Sequence, residues 1–345
     1  MILKFSEYRE GDCLLRKIDK NKWFVFISGI VFFLLGLCTL VLFLPSYLKK
    51  ETRGIEAVQF VANHGMIENR EEWEEILEKT NYGRNIDNID YLNYVLYTVN
   101  KHSSAFKFEY NNPRKTEIVP TKRQEGHFTV ITIPSIYTEN TQFVKKYVHS
   151  LSDFIKDAKQ NIVLDLTTNS GGSREPMIMG IRSLIPDGII FNEIDNRGNT
   201  FPLVLKNNQL IGGIPGDLWT SINSFDFPIE NKIVNKKIAV LTSERTASAA
   251  ENLLLALKKN EHVKVFREAT AGLTTLNTNF FLENPNSKDL WEIVCSIGYL
   301  ERNNGTTNAS SAKNFPIEPD IKNSFPLLNK ENTELIRQLN QWFKE

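Results

Sequence analysis

The chain has 345 residues, and its 41 Lys and Arg residues balance 41 Asp and Glu residues, so the formal net charge is zero. Hydrophobic residues make up 41% and charged residues 24%, a composition that excludes a wholly disordered or fibrous chain. A balanced charge argues against a nucleic-acid partner, because such a protein needs a basic face to displace phosphate counterions. The cysteines, Cys13, Cys38 and Cys295, lie too far apart for a metal-ligand motif or a disulfide framework. No metal, nucleotide or other cofactor is expected.

The first strong pattern is an uncharged run of 22 residues, from Trp23 to Leu44. An apolar bilayer core about 30 Å thick needs about 20 helical residues, so this run predicts a transmembrane helix. A short basic head, residues 1–22, precedes it and a long body follows, which favours a signal anchor with a cytoplasmic N-terminus. Two alternatives remain: a buried core helix, and a lipoprotein cleavage site at Leu35 to Cys38, where Leu37 stands in place of a small residue.

Residues 45–106 predict a small helical bundle on the outer side of the membrane. Apolar residues recur at mostly helical spacing in Glu51 to His64, in Glu71 to Lys79 and in Tyr91 to Val99. Short polar turns separate these segments. The bundle would connect the anchor to the rest of the chain.

From residue 107 to residue 345, buried strands and helices alternate, which predicts an α/β fold with right-handed crossovers. The predicted strands are Phe128–Ile133, Asn161–Leu166, Lys237–Leu241, Val263–Phe266 and a strand within Leu290–Leu300. The predicted helices are Gln142–Ala158, Ser173–Leu184, Ala247–Lys258 and Asn332–Phe343. Residues 196–235 are rich in loop-forming residues and predict a long flap over a site.

The strongest candidate for chemistry is Ser248, in the segment Thr246 to Glu251 (TASAAE). It lies where a buried strand turns into a helix, and this geometry exposes a hydroxyl and aims backbone N–H groups at a developing negative charge. The alternative is structural, because Thr246 or Ser248 could cap the helix with Glu251 completing a capping box.

A second strand–turn–helix pattern runs from Asp165 to Gly172 (DLTTNSGG). Its paired glycines allow the backbone to approach a ligand closely and to present N–H groups to an oxyanion. The alternative is an ordinary tight turn between a strand and a helix.

A serine nucleophile needs a base, and the chain offers five histidines: His64, His102, His127, His149 and His262. His102 lies in a loop of small residues that ends the helical region. The other four lie in predicted helices or beside strands. Position therefore favours His102.

Together these segments resemble the C-terminal processing peptidases, a family of tail-specific serine proteases. The resemblance implies a ClpP/crotonase-like α/β protease core with a cap region. The resemblance covers roughly residues 100–325. It rests on six short segments, in this order: His102-Ser103, FTVITIPSI from Phe128, Asp165–Gly172, Thr246–Glu251, Ala271-Gly272 and Glu318–Asp320.

The sequence departs from the pattern of most family members at two points, which limits the resemblance to a part of the family. Most members have a lysine base after a glycine about 25 residues beyond the serine, but here the sequence reads Gly272-Leu273-Thr274. Most members also carry a PDZ domain, and the stretch between Phe106 and Phe128 is too short for one. His102 is therefore the expected base.

The chain is similar to one branch of this family, the nisin-resistance proteins of Gram-positive bacteria. The shared features are the predicted anchor, the helical bundle, the histidine base and the lack of a PDZ domain. That branch has Thr-Ala-Ser-Ser-Ala-Glu, and here Ala249 replaces the second serine. The resemblance implies an extracellular, membrane-anchored serine peptidase that cleaves the C-terminal tail of a lantibiotic such as nisin. The implied roles are nucleophile for Ser248, base for His102, oxyanion donors for Ala249 with Gly171 or Gly172, and substrate contacts for Thr168, Asn169 and Thr246.

Other functions remain open. The chain could be a general C-terminal processing peptidase for exported proteins. It could also be a non-catalytic, membrane-tethered module that binds a peptide in the same groove. The residue that orients His102 is not evident, and Ser103, Ser104 and Glu251 are candidates.

Overall fold

The computed structural model describes residues 52–81, 87–112, 114–214, 227–228, 231–283, 288–301, 314–323 and 332–345. The predicted head, residues 1–22, the predicted span, Trp23–Leu44, and the possible lipoprotein site at Leu35–Cys38 lie outside these residues. Across the described part of the chain, no helix is both long enough and apolar enough to cross a bilayer. Residues Arg53–Glu345 form one compact unit.

The elements alternate along the chain much as the sequence patterns predict. The α-helices of the described residues are α1 Thr52–His64, α2 Arg70–Asn81, α3 Ile89–Val99, α4 Thr141–Lys156, α5 Arg174–Gly180, α6 Ala249–Leu257 and α7 Thr333–Lys344. The first strands are β1 Ser104–Glu109, β2 Thr116–Glu117, β3 Thr121–Glu125, β4 Phe128–Thr132, β5 Ile136–Tyr137, β6 Asn161–Asp165 and β7 Gly188–Asp195. The remaining strands are β8 Thr200–Lys206, β9 Gln209–Gly212, β10 Ile238–Thr242, β11 Val263–Arg267, β12 Leu276–Glu283, β13 Asp289–Leu300 and β14 Ile321–Lys322.

The central sheet has the strand order β14-β11-β10-β6-β4-β3. Its strands from β4 to β14 are parallel, and β3 pairs antiparallel with β4 at one edge. Every residue of β10 is buried, as expected for a parallel strand covered on both faces. Helices α4, α5 and α6 contribute to the apolar cluster on one face, and α7 packs against the other. The predicted α/β fold is confirmed.

A second sheet, β1-β13-β7-β8-β9 with β12 also paired to β13, is antiparallel. Within residues 196–235, which the sequence predicts as a loop-rich flap, β8 and β9 are regular strands and form a hairpin. Leu203, Leu205 and Leu210 are buried and supply the apolar face of this hairpin. The many turn-forming residues around them hide that alternation in the sequence. Residues 215–226 of the predicted flap lie outside the described residues.

Helices α1, α2 and α3 confirm the predicted helical segments, but they are not a separate bundle. Their apolar faces share one buried cluster with the second sheet, in which Val61 and Leu96 join Trp291 and Ile293 of β13. The expected domain boundary at residue 106 falls inside β1, which pairs with β13 along its whole length. Burial of the helices against this sheet therefore makes them part of the same compact unit.

The sheet topology brings the two candidate motifs together. Strands β6 and β10 are parallel neighbours, with Asp165 opposite Leu241 where they end. The turns that follow them, 166–173 and 243–248, therefore leave the same edge of the sheet. A ligand site is expected at this carboxyl edge.

Candidate active site

Ser248 lies at a sharp turn between β10 and α6. Its backbone has φ 56° and ψ −121°, a conformation that is strained for a residue with a side chain. The next residue, Ala249, begins the helix, so its N–H is one of the first-turn donors that a helix cannot satisfy internally. The turn thus places the Ser248 hydroxyl beside a helix N-terminus.

The Glu251 carboxylate holds this turn in place. It is fully buried and accepts the N–H of Ser248 (2.9 Å), which is the Glu half of the anticipated capping box. It also accepts the Thr270 hydroxyl and the N–H groups of Gly272 (2.8 Å) and Leu273 (2.7 Å). Burial raises the pKa of Glu251, and these hydrogen bonds oppose that rise. Glu251 therefore does not orient His102.

Thr246 neither caps α6 nor reaches substrate. Its side chain is fully buried, donates to the Leu166 carbonyl (2.8 Å) and accepts the N–H of Ser243 (3.0 Å). The expected substrate contact at Thr246 is therefore wrong, because its hydroxyl joins the two turns from inside.

Each of the two glycines, Gly171 and Gly172, allows the turn to make a different close contact. A Cβ added to Gly171 would lie 2.7 Å from Ser248 Cβ, and one added to Gly172 would lie 2.1 Å from the Ile136 carbonyl oxygen. Both have positive φ, +103° and +117°. Only glycine lets this turn approach the Ser248 turn and β5 at the same time.

The Asn169 side chain is buried and holds the glycine turn. Its Nδ2 donates to the Ile133 carbonyl (2.9 Å), and its Oδ1 accepts the N–H of Gly171 (2.9 Å). Its backbone carbonyl also accepts the N–H of Ala247 (3.1 Å). The expected substrate contact at Asn169 is wrong because no part of the side chain is exposed. Thr168 is exposed but does not line the cleft, so the structure does not bring it to the site.

The two glycines differ as oxyanion donors. The Gly171 N–H is occupied by Asn169, so the expectation that it could donate to an oxyanion is corrected. Among the described residues, the N–H groups of Gly172 and Ala249 have no hydrogen-bond partner, and both residues line the cleft.

His102 lies in the turn between α3 and β1, and its Nδ1 is 2.8 Å from the Thr275 hydroxyl oxygen. The pKa of His102 is lowered from its usual 6.5 to about 4, chiefly by burial; a hydrogen bond to Thr275 opposes the shift, and the nearby Lys101 adds a smaller lowering contribution. The imidazole is therefore neutral at physiological pH. Sequence reasoning missed Thr275, and the earlier candidate Ser103 instead accepts the N–H of Ser296 (3.0 Å).

A chain of hydrogen bonds behind Thr275 determines which ring nitrogen carries the proton. The backbone N–H of His102 donates to Asn100 Oδ1 (3.0 Å), which fixes the orientation of that amide. The Ser296 hydroxyl lies 3.0 Å from Asn100 Oδ1 and 2.8 Å from Asn277 Oδ1, so its single proton must go to an amide oxygen. It therefore accepts a proton from Thr275 (3.0 Å) rather than donating to it.

Thr275 then has no proton left for His102 and must accept one from Nδ1. Neutral imidazole carries one proton, so Nε2 has a free lone pair, as a general base requires. A neutral hydroxyl, backed by amide groups, therefore lies on the Nδ1 side of the ring, the side on which a carboxylate lies in the Ser-His-Asp arrangement.

Ser248 and His102 line the same cleft, which has a volume of about 330 Å³. Its walls come from β1, β2, β5, the glycine turn, the first turns of α5 and α6, and β12. Ser248 is half-buried at this cleft. An alcohol, a neutral imidazole and free N–H groups in one cleft are the parts that acyl transfer needs.

Comparison with known proteins supports this interpretation. The family model of Peptidase family S41 matches residues 127–323, and the Nisin-resistance protein of Lactococcus lactis subsp. lactis is 27% identical over 267 residues, covering 75% of this chain and 78% of that protein. The solved structure of a lipoprotein from Streptococcus agalactiae superposes with a TM-score of 0.64 at 23% identity, covering 86% and 96% of the two chains. A putative peptidase from Parabacteroides merdae gives 0.50 at 13% identity, covering 85% and 96%.

The fold is therefore that of a peptidase. The chain belongs to peptidase family S41 and is similar to the nisin-resistance protein, as the sequence motifs indicate. A peptidase of this family acts on a peptide substrate.

Proposed function

We propose that the protein is a serine endopeptidase that uses Ser248 as nucleophile and His102 as base. Nε2 of His102 takes the hydroxyl proton while Ser248 Oγ bonds to the peptide carbonyl carbon, and the imidazolium then protonates the leaving amine. Water, deprotonated by the same imidazole, hydrolyses the acyl-enzyme and restores both side chains. The observation that carries the proposal is the cleft shared by the strained Ser248 turn and His102.

The developing oxyanion would be held by the N–H groups of Ala249 and Gly172. Both donors lack partners within the described chain and line the cleft. Replacing the second serine of the motif by Ala249 does not matter for this role, because the donor is a backbone group. Loss of one such donor costs about 10²–10³ in rate.

The substrate we propose is the C-terminal tail of a lantibiotic such as nisin, and removal of that tail would confer resistance. Similarity to the Nisin-resistance protein supports this substrate. The same similarity and the uncharged run Trp23–Leu44 support a membrane-anchored protein with its peptidase domain outside the cell. An anchor would hold the peptidase where a membrane-directed peptide accumulates.

Mass spectrometry of nisin after incubation with the full chain tests this function. We expect one shortened product, its loss in Ser248→Ala, and normal cleavage by the control Ser150→Ala on α4, outside the cleft. Intact nisin beside cleaved generic peptide tails would instead indicate a general C-terminal processing peptidase. Protection of cells by Ser248→Ala equal to that of the wild type would indicate a peptide-binding module.

A further inference from the structure

A cluster of polar side chains in the cleft wall has no part in the proposed mechanism. The Arg114 guanidinium forms a two-bond ion pair with Glu292, from Nε to Oε2 and from Nη2 to Oε1, both 2.9 Å. Glu292 is fully buried, whereas the Arg114 side chain is 36% exposed and lines the cleft. The guanidinium carbon lies 4.1 Å from the ring centre of Phe106 and 4.6 Å from that of Tyr137, which holds the guanidinium in place.

This orientation of Arg114 leaves part of its guanidinium available to a ligand. A guanidinium has five N–H groups, and Glu292 accepts one from Nε and one from Nη2. Nη1 makes no hydrogen bond to any residue that the structure describes. A second fork of N–H donors, on Nη1 and Nη2, therefore faces away from Glu292.

Asn279 adds a hydrogen-bond acceptor to the cluster. Tyr137 donates its hydroxyl proton to Glu292 Oε1 (2.5 Å), and burial and this hydrogen bond raise the pKa of Tyr137, so the phenol keeps its proton. The phenol oxygen in turn accepts a hydrogen bond from Asn279 Nδ2 (2.8 Å), which fixes the orientation of that amide. Asn279 is half-buried and lines the cleft, and its Oδ1 has no partner among the described residues.

The charges in this wall favour an uncharged ligand. Arg114 and Glu292 cancel each other, while the neighbouring buried group of Arg174, Glu175 and Glu193 has one positive and two negative charges. A substrate carboxylate therefore gains no net attraction, and the free guanidinium fork would repel an ammonium group. An N–H fork beside an amide oxygen is instead the complement of a peptide group, which has one C=O acceptor and one N–H donor.

Strand β12 shows how far this cluster lies from the catalytic end of the cleft. Val294 of β13 pairs with β1 on one side and with β12 on the other, and β12 has no second partner strand in the described sheet. Its first four residues, 276–279, all line the cleft, and successive side chains of a strand can do this only along its edge. Asn279 follows Thr275, the partner of His102, by four residues. At about 3.3 Å per residue the cluster lies about 10–13 Å along the cleft, which an extended peptide spans in about three or four residues.

We propose that Arg114 and Asn279 bind one main-chain peptide group of the substrate, about three or four residues from the scissile bond. The Arg114 fork donates to the carbonyl oxygen of this group, and its N–H donates to Asn279 Oδ1. The subsite rests on the proposed peptidase function and adds a minimum substrate length on one side of the cleavage site. Because it binds the backbone, it accepts any side chain at that position.

Peptides shortened one residue at a time from each end test the length requirement. Around the cleaved bond, we expect kcat/KM of the wild type to fall at least tenfold once the peptide no longer reaches the cluster, at one end only. Arg114→Lys keeps a counter-ion for Glu292, but its single ammonium is occupied by that carboxylate, so long and short peptides should be cleaved at rates within about twofold. Arg197→Lys, at an exposed position between β7 and β8, is the matched control and keeps the wild-type dependence on length.

A backbone ester tests recognition of the peptide group itself. Replacing the substrate N–H at the recognised position by an ester oxygen removes the donor for Asn279 Oδ1. The ester should slow cleavage by the wild type several-fold and should cause no further loss in Asn279→Leu. Asn63→Leu, at an exposed position of α1, is the control and stays as sensitive to the ester as the wild type. Thermal melting shows which variants are folded.

The outcomes separate the subsite from the peptidase. If the wild type cleaves no peptide, the proposed function fails. If it cleaves all shortened peptides and the ester at equal rates, or if folded Arg114→Lys and folded Asn279→Leu keep the wild-type dependences, the subsite is overturned while the peptidase stands. A tenfold loss on amidation of the substrate C-terminus, with no effect of the ester, would also overturn it, because the ligand would then be a carboxylate.

Discussion

The surroundings of His102 lower the pKa of its imidazole strongly. Among the described residues no carboxylate lies at hydrogen-bond distance of its ring, and its Nδ1 partner is the neutral Thr275 hydroxyl. An imidazolium here gains no ion pair, and burial holds the pKa near 4.

The low pKa of His102 predicts how activity depends on pH. The proposed base works as neutral imidazole, so activity is present above its pKa and is lost as pH falls through about 4. We expect the acid limb of kcat/KM to have its midpoint near 4 rather than at the ordinary 6.5. Activity recovered after return from acid to neutral pH would show that the loss is protonation and not unfolding. A midpoint near 6.5 would contradict the environment assigned to His102.

The hydroxyl of Thr275 is expected to decide which ring nitrogen of His102 carries the proton. Replacing it by Val removes the acceptor for Nδ1–H while keeping the side-chain shape, so the Nε2-protonated tautomer becomes accessible. We expect kcat to fall about 10²-fold with little change in KM, and Thr275→Ser to restore most of it.

Nitrogen NMR of histidine-labelled protein should show the His102 proton on Nδ1 in the wild type and a mixture in Thr275→Val. Thr200→Val, on an exposed position of β8, is the matched control. Equal tautomer populations in wild type and Thr275→Val would show that Thr275 does not set the proton position.

At the scale of elements, two turns that leave one edge of a parallel sheet build the nucleophile. The sequence around Ser248 changes from the buried strand β10 to the helix α6 clearly enough for the turn between them to be predicted. The group that orients His102 could not be predicted, because Thr275 lies 173 positions away and is brought there by the pairing of β12 with β13. Asn169 looked like a substrate contact because polar residues in a turn give no sign of which way they point.

Close packing of the two turns predicts a specific effect of Gly171→Ala. The new Cβ would lie 2.7 Å from Ser248 Cβ and 2.9 Å from the Ala247 carbonyl oxygen, so the Ser248 turn must move. We expect activity to fall at least 10²-fold, with about 1–3 kcal/mol lost from the free energy of unfolding.

Gly126→Ala is the control for backbone strain alone. Gly126 also has a positive φ, +59°, but a Cβ there meets nothing within 4 Å. It should cost about 1 kcal/mol of stability and leave kcat unchanged. Urea unfolding and peptide cleavage measure both effects, and a fully active Gly171→Ala enzyme would refute the contact.

At the scale of the whole molecule, helices cover sheet faces that would otherwise be exposed. Helix α7 places Leu335, Leu339 and Trp342 against the apolar face formed by β4, β6, β10 and β11. The helical periodicity of Asn332–Phe343 predicted this helix, but not the face it covers. The helices near residue 100 were likewise predicted as helices, while their packing on β13 depends on strand pairings that local patterns do not encode.

Packing of α7 predicts the effect of Leu339→Ala on stability. Leu339 is fully buried, and removing its side chain should cost about 2–5 kcal/mol. Gln341→Ala, on the exposed face of the same helix, should cost less than about 0.5 kcal/mol. Urea unfolding of both variants makes the comparison, and equal losses would show that α7 does not seal this sheet face.

Covalent labelling with a fluorophosphonate tests most directly whether the Ser248 turn and His102 form an acyl-transfer centre. After reaction of the full chain, peptide mapping should find a single phosphonylated residue, Ser248. Labelling should slow at least 10²-fold in His102→Ala, while Ser150→Ala is labelled like the wild type. An unlabelled Ser248 in an enzyme that still cleaves peptide, or His102→Ala labelled at the wild-type rate, would contradict the mechanism.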